Sequence, residues 1–419
     1  MTLFLIFAVA IVIVLLCFQY WPGQSVDLPK YNHDVAAVEY VLDNPDLLIS
    51  QLGFSSAGNW HTADKVSYDY ILPIDLYTYP GFTSRAYFID FSGENGYAIV
   101  DSEKNLYQYQ TTGDYPHLPD SESIYYSPYD GIIYKYKGKS HLVSGSSQAV
   151  PDRRETLGLF AGQKSLGDGD IFQPNSYVAD RYGSNFITYY ASSLRNFTYV
   201  TQGETSIYYR GRGTRSEGNC TLNAIYNALN YISTTDSRGL LPSPYMTVAV
   251  DARKDAFYGK YASDRTYVID TPKILPELYA NIRSYAISAH QYEVEALTQL
   301  EVEDVANHML SVYECPLTAQ NYYNGSYYEQ VILPVTKGYP VLNNVTGSIT
   351  YSSHSMVVTG YQIYQATTEV GELHLQSYVL ILQVADGWAD SARYYDANQN
   401  KQLEIVTVFG PKTSKKASK

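Results

Sequence analysis

The sequence predicts an α+β fold, on three observations. Short strand-like stretches separated by Gly, Pro and Asp run through the first third of the chain. From Ser176 onward, helical periodicities are followed by further strands. The composition, 45% hydrophobic and 17% charged, is that of a chain able to bury a core.

The N-terminus is an uninterrupted apolar run from Leu3 to Phe18, LFLIFAVAIVIVLLCF. Counted from Met1 to Trp21 it reaches the length of a membrane-crossing helix. Tyr20 and Trp21 suit the interfacial belt. No small-residue cleavage site follows, so residues 1–22 are expected to be an uncleaved signal anchor, a single transmembrane helix with the main body outside the cytoplasm. Leu16 is too bulky for the place before a lipidated Cys17.

Residues 33–52, HDVAAVEYVLDNPDLLISQL, carry a helical pattern interrupted by Pro45. The stretches VSYDYILPIDLYTY, RAYFIDF, GYAIVD, LYQYQ, IIYKYKG and SHLVSG then read as strands. Together they predict a smaller α+β or mostly β domain over 30–150. A polar, Gly-rich connector over 151–175 leads to a second domain over 176–412, and 413–419 is a basic tail. The 45 Tyr fit half-buried strand positions, with a glycan or cell-wall contact surface as the alternative.

The net charge of −13 disfavours nucleic acid and anionic lipid as partners. Three Cys, one of them in the apolar N-terminus, do not make a disulfide framework, although a Cys220–Cys315 bridge is open to the chain. His290, His308, Glu301 and Glu303 form no compact ligand pattern, so no metal and no cofactor is expected. His61 and His117 stand alone, and His374 reads as an outward strand residue.

The sharpest local signal is EGNCTLNAIYNALNYI. Leu222, Ile225, Leu229 and Ile232 make one helical stripe, and Asn219 is a plausible N-cap. Cys220 then stands in the first turn, where unpaired N–H groups and the helix dipole favour a thiolate. Its own N–H is an oxyanion donor candidate. The competing reading is an inert Cys in a packed helix. In KGYPVLNNVTGSITYSSHSMVVTGY, His354 stands at the mouth of a strand; it is either a base facing a cleft or a surface strand residue. The apolar strand YVLILQV ends in Asp386, Gly387 and Trp388. A carboxylate there can orient an imidazole, and the indole can shield that contact from water. Cys220 as nucleophile, His354 as base and Asp386 as orienter, in that order and with the first spacing in the range of papain-type enzymes, make the chemistry of amide attack.

On these motifs the chain resembles the papain-like cysteine peptidase superfamily, in particular the bacterial C39-like (double-glycine-leader) peptidase domains, with some likeness to streptopain. EGNCTLNAIYNALNYI is similar to the nucleophile helix, KGYPVLNNV with HSMVVTGY to the His strand, and VADGW to the strand-end segment of the third member. The resemblance covers about 176–412 and implies a papain-like fold, a helical half packed on an antiparallel sheet. It also implies Cys220, His354 and Asp386 as catalytic residues, with Trp388 as a cleft aromatic. GYAIVDSEKNLYQY is faintly similar to the streptopain propeptide, so the 30–150 region is expected to cover the cleft or assist folding. The family places a Gln shortly before the nucleophile; here Thr214 holds that place and the last Gln before Cys220 is Gln202. Thr214 and Asn219 are then the substitute oxyanion candidates.

The expectation is an extracytoplasmic cysteine peptidase acting on peptide or protein, single-pass in the cell membrane of a Gram-positive bacterium. The alternative is an inactive surface module of the same fold that binds peptide or cell-wall glycan. Oligomeric state is open.

Overall fold

A computed structural model describes residues 36–79, 82–112, 123–136, 139–142, 173–202, 205, 219–235, 276–290, 297, 299–348, 352–399 and 403–412. The chain divides into two compact units, Met1–Ala36 and Ala37–Lys419, and the fold below is that of the second. The anchor expected at 1–22 and the tail at 413–419 lie outside the described residues, as does nearly all of the expected connector. No described helix is long and apolar enough to cross a membrane.

The helical pattern of 33–52 is two short helices, α1 (Ala36–Leu42) and α2 (Pro45–Ser50). Pro45 opens α2, where its missing N–H is not needed. Their apolar faces, with Val38, Val41 and Leu48, pack on Phe91, Val100 and Leu373. The strand-like stretches that follow are β1 (Tyr68–Tyr79), β2 (Phe82–Phe91), β3 (Tyr97–Asp101), β4 (Asn105–Gln110), β5 (Ser123–Ser127), β6 (Gly131–Tyr136) and β7 (Lys139–Leu142). Next come α3 (Pro174–Arg181), β8 (Ile187–Ser193) and α4 (Asn219–Thr235). Helices α5 (Pro276–His290) and α6 (Gln299–Val312) lead into β9 (Leu317–Gly325). A π-helical turn (Tyr328–Ile332) runs into α7 (Leu333–Thr336). The chain closes with β10 (Val341–Ser348), β11 (Ser352–Val370), β12 (Leu373–Ala385), β13 (Arg393–Asp396) and β14 (Leu403–Pro411).

Among the described residues these strands form one fourteen-stranded sheet in the order β7-β6-β5-β1-β2-β3-β4-β12-β11-β10-β14-β9, with β13 on β12 and β8 on β11. This overturns the papain-like architecture expected above. The early strands are not a separate small domain standing before an enzyme domain. They continue the sheet that carries His354, through a parallel joint of β4 to β12 that matches Asn105 with His374 and Leu106 with Leu375. A second parallel joint, β1 to β5, keeps the early strands in line, so the sheet is mixed. The physical reason is burial: Leu106, Val100 and Leu373 share one core, and cutting the sheet at β4 would expose it.

The stripe read from α4 buries Leu222, Ile225 and Leu229 with Leu342 and Val357 of the sheet, and with Ile282, Val305 and Met309 of α5 and α6. Cys315 lies in this core at 2% exposure, and neither Cys220 nor Cys315 is in a disulfide. Many tyrosines are core residues; Tyr97, Tyr226, Tyr279, Tyr361, Tyr364 and Tyr395 are each under 2% exposed.

The β5–β6 hairpin grips the later half of the chain. Asp130, in its turn, accepts hydrogen bonds from Ser326 Oγ (2.7 Å) and from the N–H groups of Tyr327 (2.6 Å) and Tyr328 (3.1 Å). It thereby caps the start of the π-helical turn, whose first N–H groups have no partner within the helix. Asp130→Ala is expected to lower unfolding stability by about 2–4 kcal/mol, since it strands main-chain donors away from water. Urea unfolding of the full chain checks this; Asp130→Asn, which keeps one acceptor, is expected to lose less.

Candidate active site

Cys220 is the second residue of α4 and half-buried. The site is assembled where the start of this helix meets the start of β11. The β10–β11 register sets Val345 against His354 and Asn344 against Ser355. Ser355 Oγ donates to Asn344 Oδ1 (2.7 Å) and shares a hydrogen bond with Thr221 Oγ1 (3.0 Å). This chain of buried polar groups fixes the helix start against the strand one residue past both Cys220 and His354.

The Cys220 thiol is hydrogen-bonded to the His354 imidazole and to the Ser355 N–H. His354 is 6% exposed, and its Nε2 donates to the main-chain carbonyl of Asp386 at 2.7 Å. With the proton held at Nε2, Nδ1 is the nitrogen left to take the thiol's proton. Burial pushes the thiol up, but the hydrogen bond and charge of His354, with the contacts of Ser355 and Thr221, together outweigh it, and the net shift is downward. Burial pushes the imidazole down, but the contact with Cys220, then the carbonyl and charge of Asp386, carry it above its ordinary value. The two shifts have opposite sign, which is what favours a thiolate–imidazolium pair.

Asp386 reaches the imidazole through its main chain. Its carboxylate is fully buried. Oδ1 accepts the N–H of Trp388 (2.9 Å) and of Ala389 (3.3 Å), and Oδ2 is 3.3 Å from Arg393 Nε. The carboxylate adds its negative charge to the field at His354. Trp388 lies against the imidazole, ring centroids 4.5 Å apart and planes tilted by 37°, and is 41% exposed.

Thr214 and the neighbouring Arg215, Ser216 and Glu217 lie outside the described residues. Asn219 begins α4. Sequence reasoning passed over Gln202, which the fold brings beside the Asp386 turn. The segment around Val200 is pinned to α4: Val200 N–H donates to Asn227 Oδ1 (3.0 Å), and its carbonyl accepts from Asn223 (3.2 Å) and Asn227 (2.9 Å). Gln202 N–H donates to the Gly387 carbonyl at 2.8 Å, tying the same segment to the Asp386 turn. Gln202 is 6% exposed and its Nε2 is buried without a hydrogen-bond acceptor. Gly387 has φ +74°, and a Cβ there would lie 2.6 Å from Asn223 Oδ1 and 3.2 Å from Gln202 Nε2. Only Gly lets the turn, the helix and this amide approach so closely. The one sequence signal was that Gln202 is the last Gln before Cys220.

His290, read as an ordinary helix residue, pairs with Asp304 (2.9 Å) and Glu301 (3.5 Å). His374 pairs with Glu369 at 2.8 Å. Among the described residues no group of three His, Cys, Asp or Glu side chains is disposed to hold a metal ion. Compared with known proteins, the chain matches no family model, no curated protein and no solved structure.

Proposed function

We propose that this chain is a cysteine-type hydrolase of peptide or related amide bonds, acting outside the cytoplasm from an anchor at residues 1–22. One observation carries the reading: the Cys220 thiol is hydrogen-bonded to an imidazole whose far nitrogen is tethered at 2.7 Å to the Asp386 carbonyl. Cys220 Sγ attacks the substrate carbonyl as the thiolate. The oxyanion that forms is met by the Cys220 N–H at the helix start and by Gln202 Nε2. His354 passes its proton to the leaving amine, leaving a thioester on Cys220. Water, deprotonated by His354, then releases the acid and restores the thiol. Trp388 keeps bulk water from the imidazole side.

Iodoacetamide labelling of the full chain tests this, combined with hydrolysis of a mixed peptide library. Cys220 is expected to react at pH 6 faster than a model thiol and well ahead of buried Cys315, and peptide hydrolysis is expected to fall in proportion to the label. Labelling no faster than a model thiol would sink the reading. Fast labelling with no turnover on any peptide or amide would point instead to a binding module for peptide or cell-wall glycan.

A further inference from the structure

We infer that Arg393 is a positioning residue for His354: it holds, through the buried Asp386 carboxylate, the turn whose main-chain carbonyl anchors the imidazole. This rests on the proposed pairing of Cys220 with His354. Arg393 is the first residue of β13 and pairs with Val384 near the end of β12. The Asp386–Trp388 turn therefore lies on the loop between these two strands, and Arg393 reaches back across it. The Asp386 carboxylate is fastened at both oxygens, Oδ1 to the N–H groups of its own turn and Oδ2 to Arg393 Nε at 3.3 Å. The Arg393 N–H does not align with that oxygen, so the contact is one of charge, between a side chain 14% exposed and a carboxylate with no exposure. A buried charge contact of this kind is damaging when one partner is lost, because the other charge is left uncompensated. The third anchor of the same residue is the His354 Nε2–H bond to its carbonyl. Freeing Oδ2 lets the turn shift, and the carbonyl shifts with it.

Charge and position predict opposite results, which makes the inference testable. The charged and titratable groups that bear on the imidazole are Cys220 from α4, Asp386 from the end of β12, and Arg393 through Asp386. If Arg393 acted only by charge, removing it would leave Asp386 less compensated, and the imidazolium would be held more strongly. If it acts by position, removing it weakens the carbonyl's hold on Nε2–H, and the imidazolium is held less strongly.

The experiment is a pH titration of the His354 imidazole by ¹H–¹⁵N NMR in the full chain labelled with ¹⁵N-histidine, assigned with His354→Gln. Arg393→Gln is expected to lower the His354 midpoint by about one pH unit. A midpoint that stays or rises overturns the inference. Should Arg393→Gln fail to fold, Arg393→Met, which keeps the apolar stem and removes the charge contact, is titrated instead; a midpoint that stays or rises in that variant overturns the inference equally. Cys220→Ser separates the two readings. It is expected to lower the His354 midpoint because the thiolate is gone. If it does not, the Cys–His pairing fails, while the Arg393 result is read independently.

Discussion

Replacing His354 by Gln is expected to lower kcat/KM for peptide hydrolysis by on the order of 10⁴-fold, the upper end of what one positioned acid–base group contributes. Two losses combine. The leaving amine loses its proton donor, and the thiolate loses the contact that populates it. In the intact site the thiol lies below its ordinary value and the imidazole above its own. The two shifts run toward each other, which favours the charged pair. Activity that depends on this pair should rise and then fall with pH, the two limbs belonging to the pair as a whole. In His354→Gln only burial and the smaller main-chain and Thr221 contacts remain, and burial pushes the thiol up. The iodoacetamide profile of Cys220 should then move above the ordinary thiol range of about 8.5. A variant whose labelling profile overlays the wild type would show that the imidazole does nothing for the sulfur.

What the sequence discloses here follows from the range of the interactions involved. The helix of Cys220 is legible because its determinants are local: Leu222, Ile225 and Leu229 recur at helical spacing and face one core. The strand of His354 is legible for the same reason, since the apolar residues after it pack into the sheet. The union of the early strands with that sheet is not. Its parallel joint spans residues as far apart as Asn105 and His374 and rests on two residue pairs, and no local pattern distinguishes the edge of a small domain from a strand waiting for a distant partner. The reading of a papain-like fold failed at that joint, while the Cys220 and His354 side chains still meet. Asp386 is a subtler case. Its side-chain type points to a carboxylate facing the imidazole, but the bond to Nε2 is made by a carbonyl that every residue carries. Arg393 sits in an unremarkable strand sequence, and only the return of β13 onto β12 brings it back to Asp386.

Gln202 carries the second large effect. Gln202→Ala is expected to lower kcat by about 10²–10³-fold, the scale of one oxyanion donor removed, with KM little changed. An amide buried to 6% exposure without an acceptor for its Nε2 is a standing cost of about 1–3 kcal/mol in the resting protein. It is tolerable where that donor meets charge only in the transition state. The surroundings hold the amide ready: Asn223 and Asn227 fix Val200, Gly387 accepts the Gln202 N–H, and the glycine's missing side chain leaves room for the amide. Two readouts separate this role from a structural one. Alkylation by iodoacetamide forms no oxyanion, so the labelling profile of Cys220 should be that of the wild type in Gln202→Ala, in contrast with His354→Gln. A merely structural loss would instead displace the Asp386 turn, loosen His354 and carry the labelling profile upward with it. Unchanged kcat in a folded Gln202→Ala chain would remove Gln202 from the mechanism and leave the helix-start N–H of Cys220 as the donor.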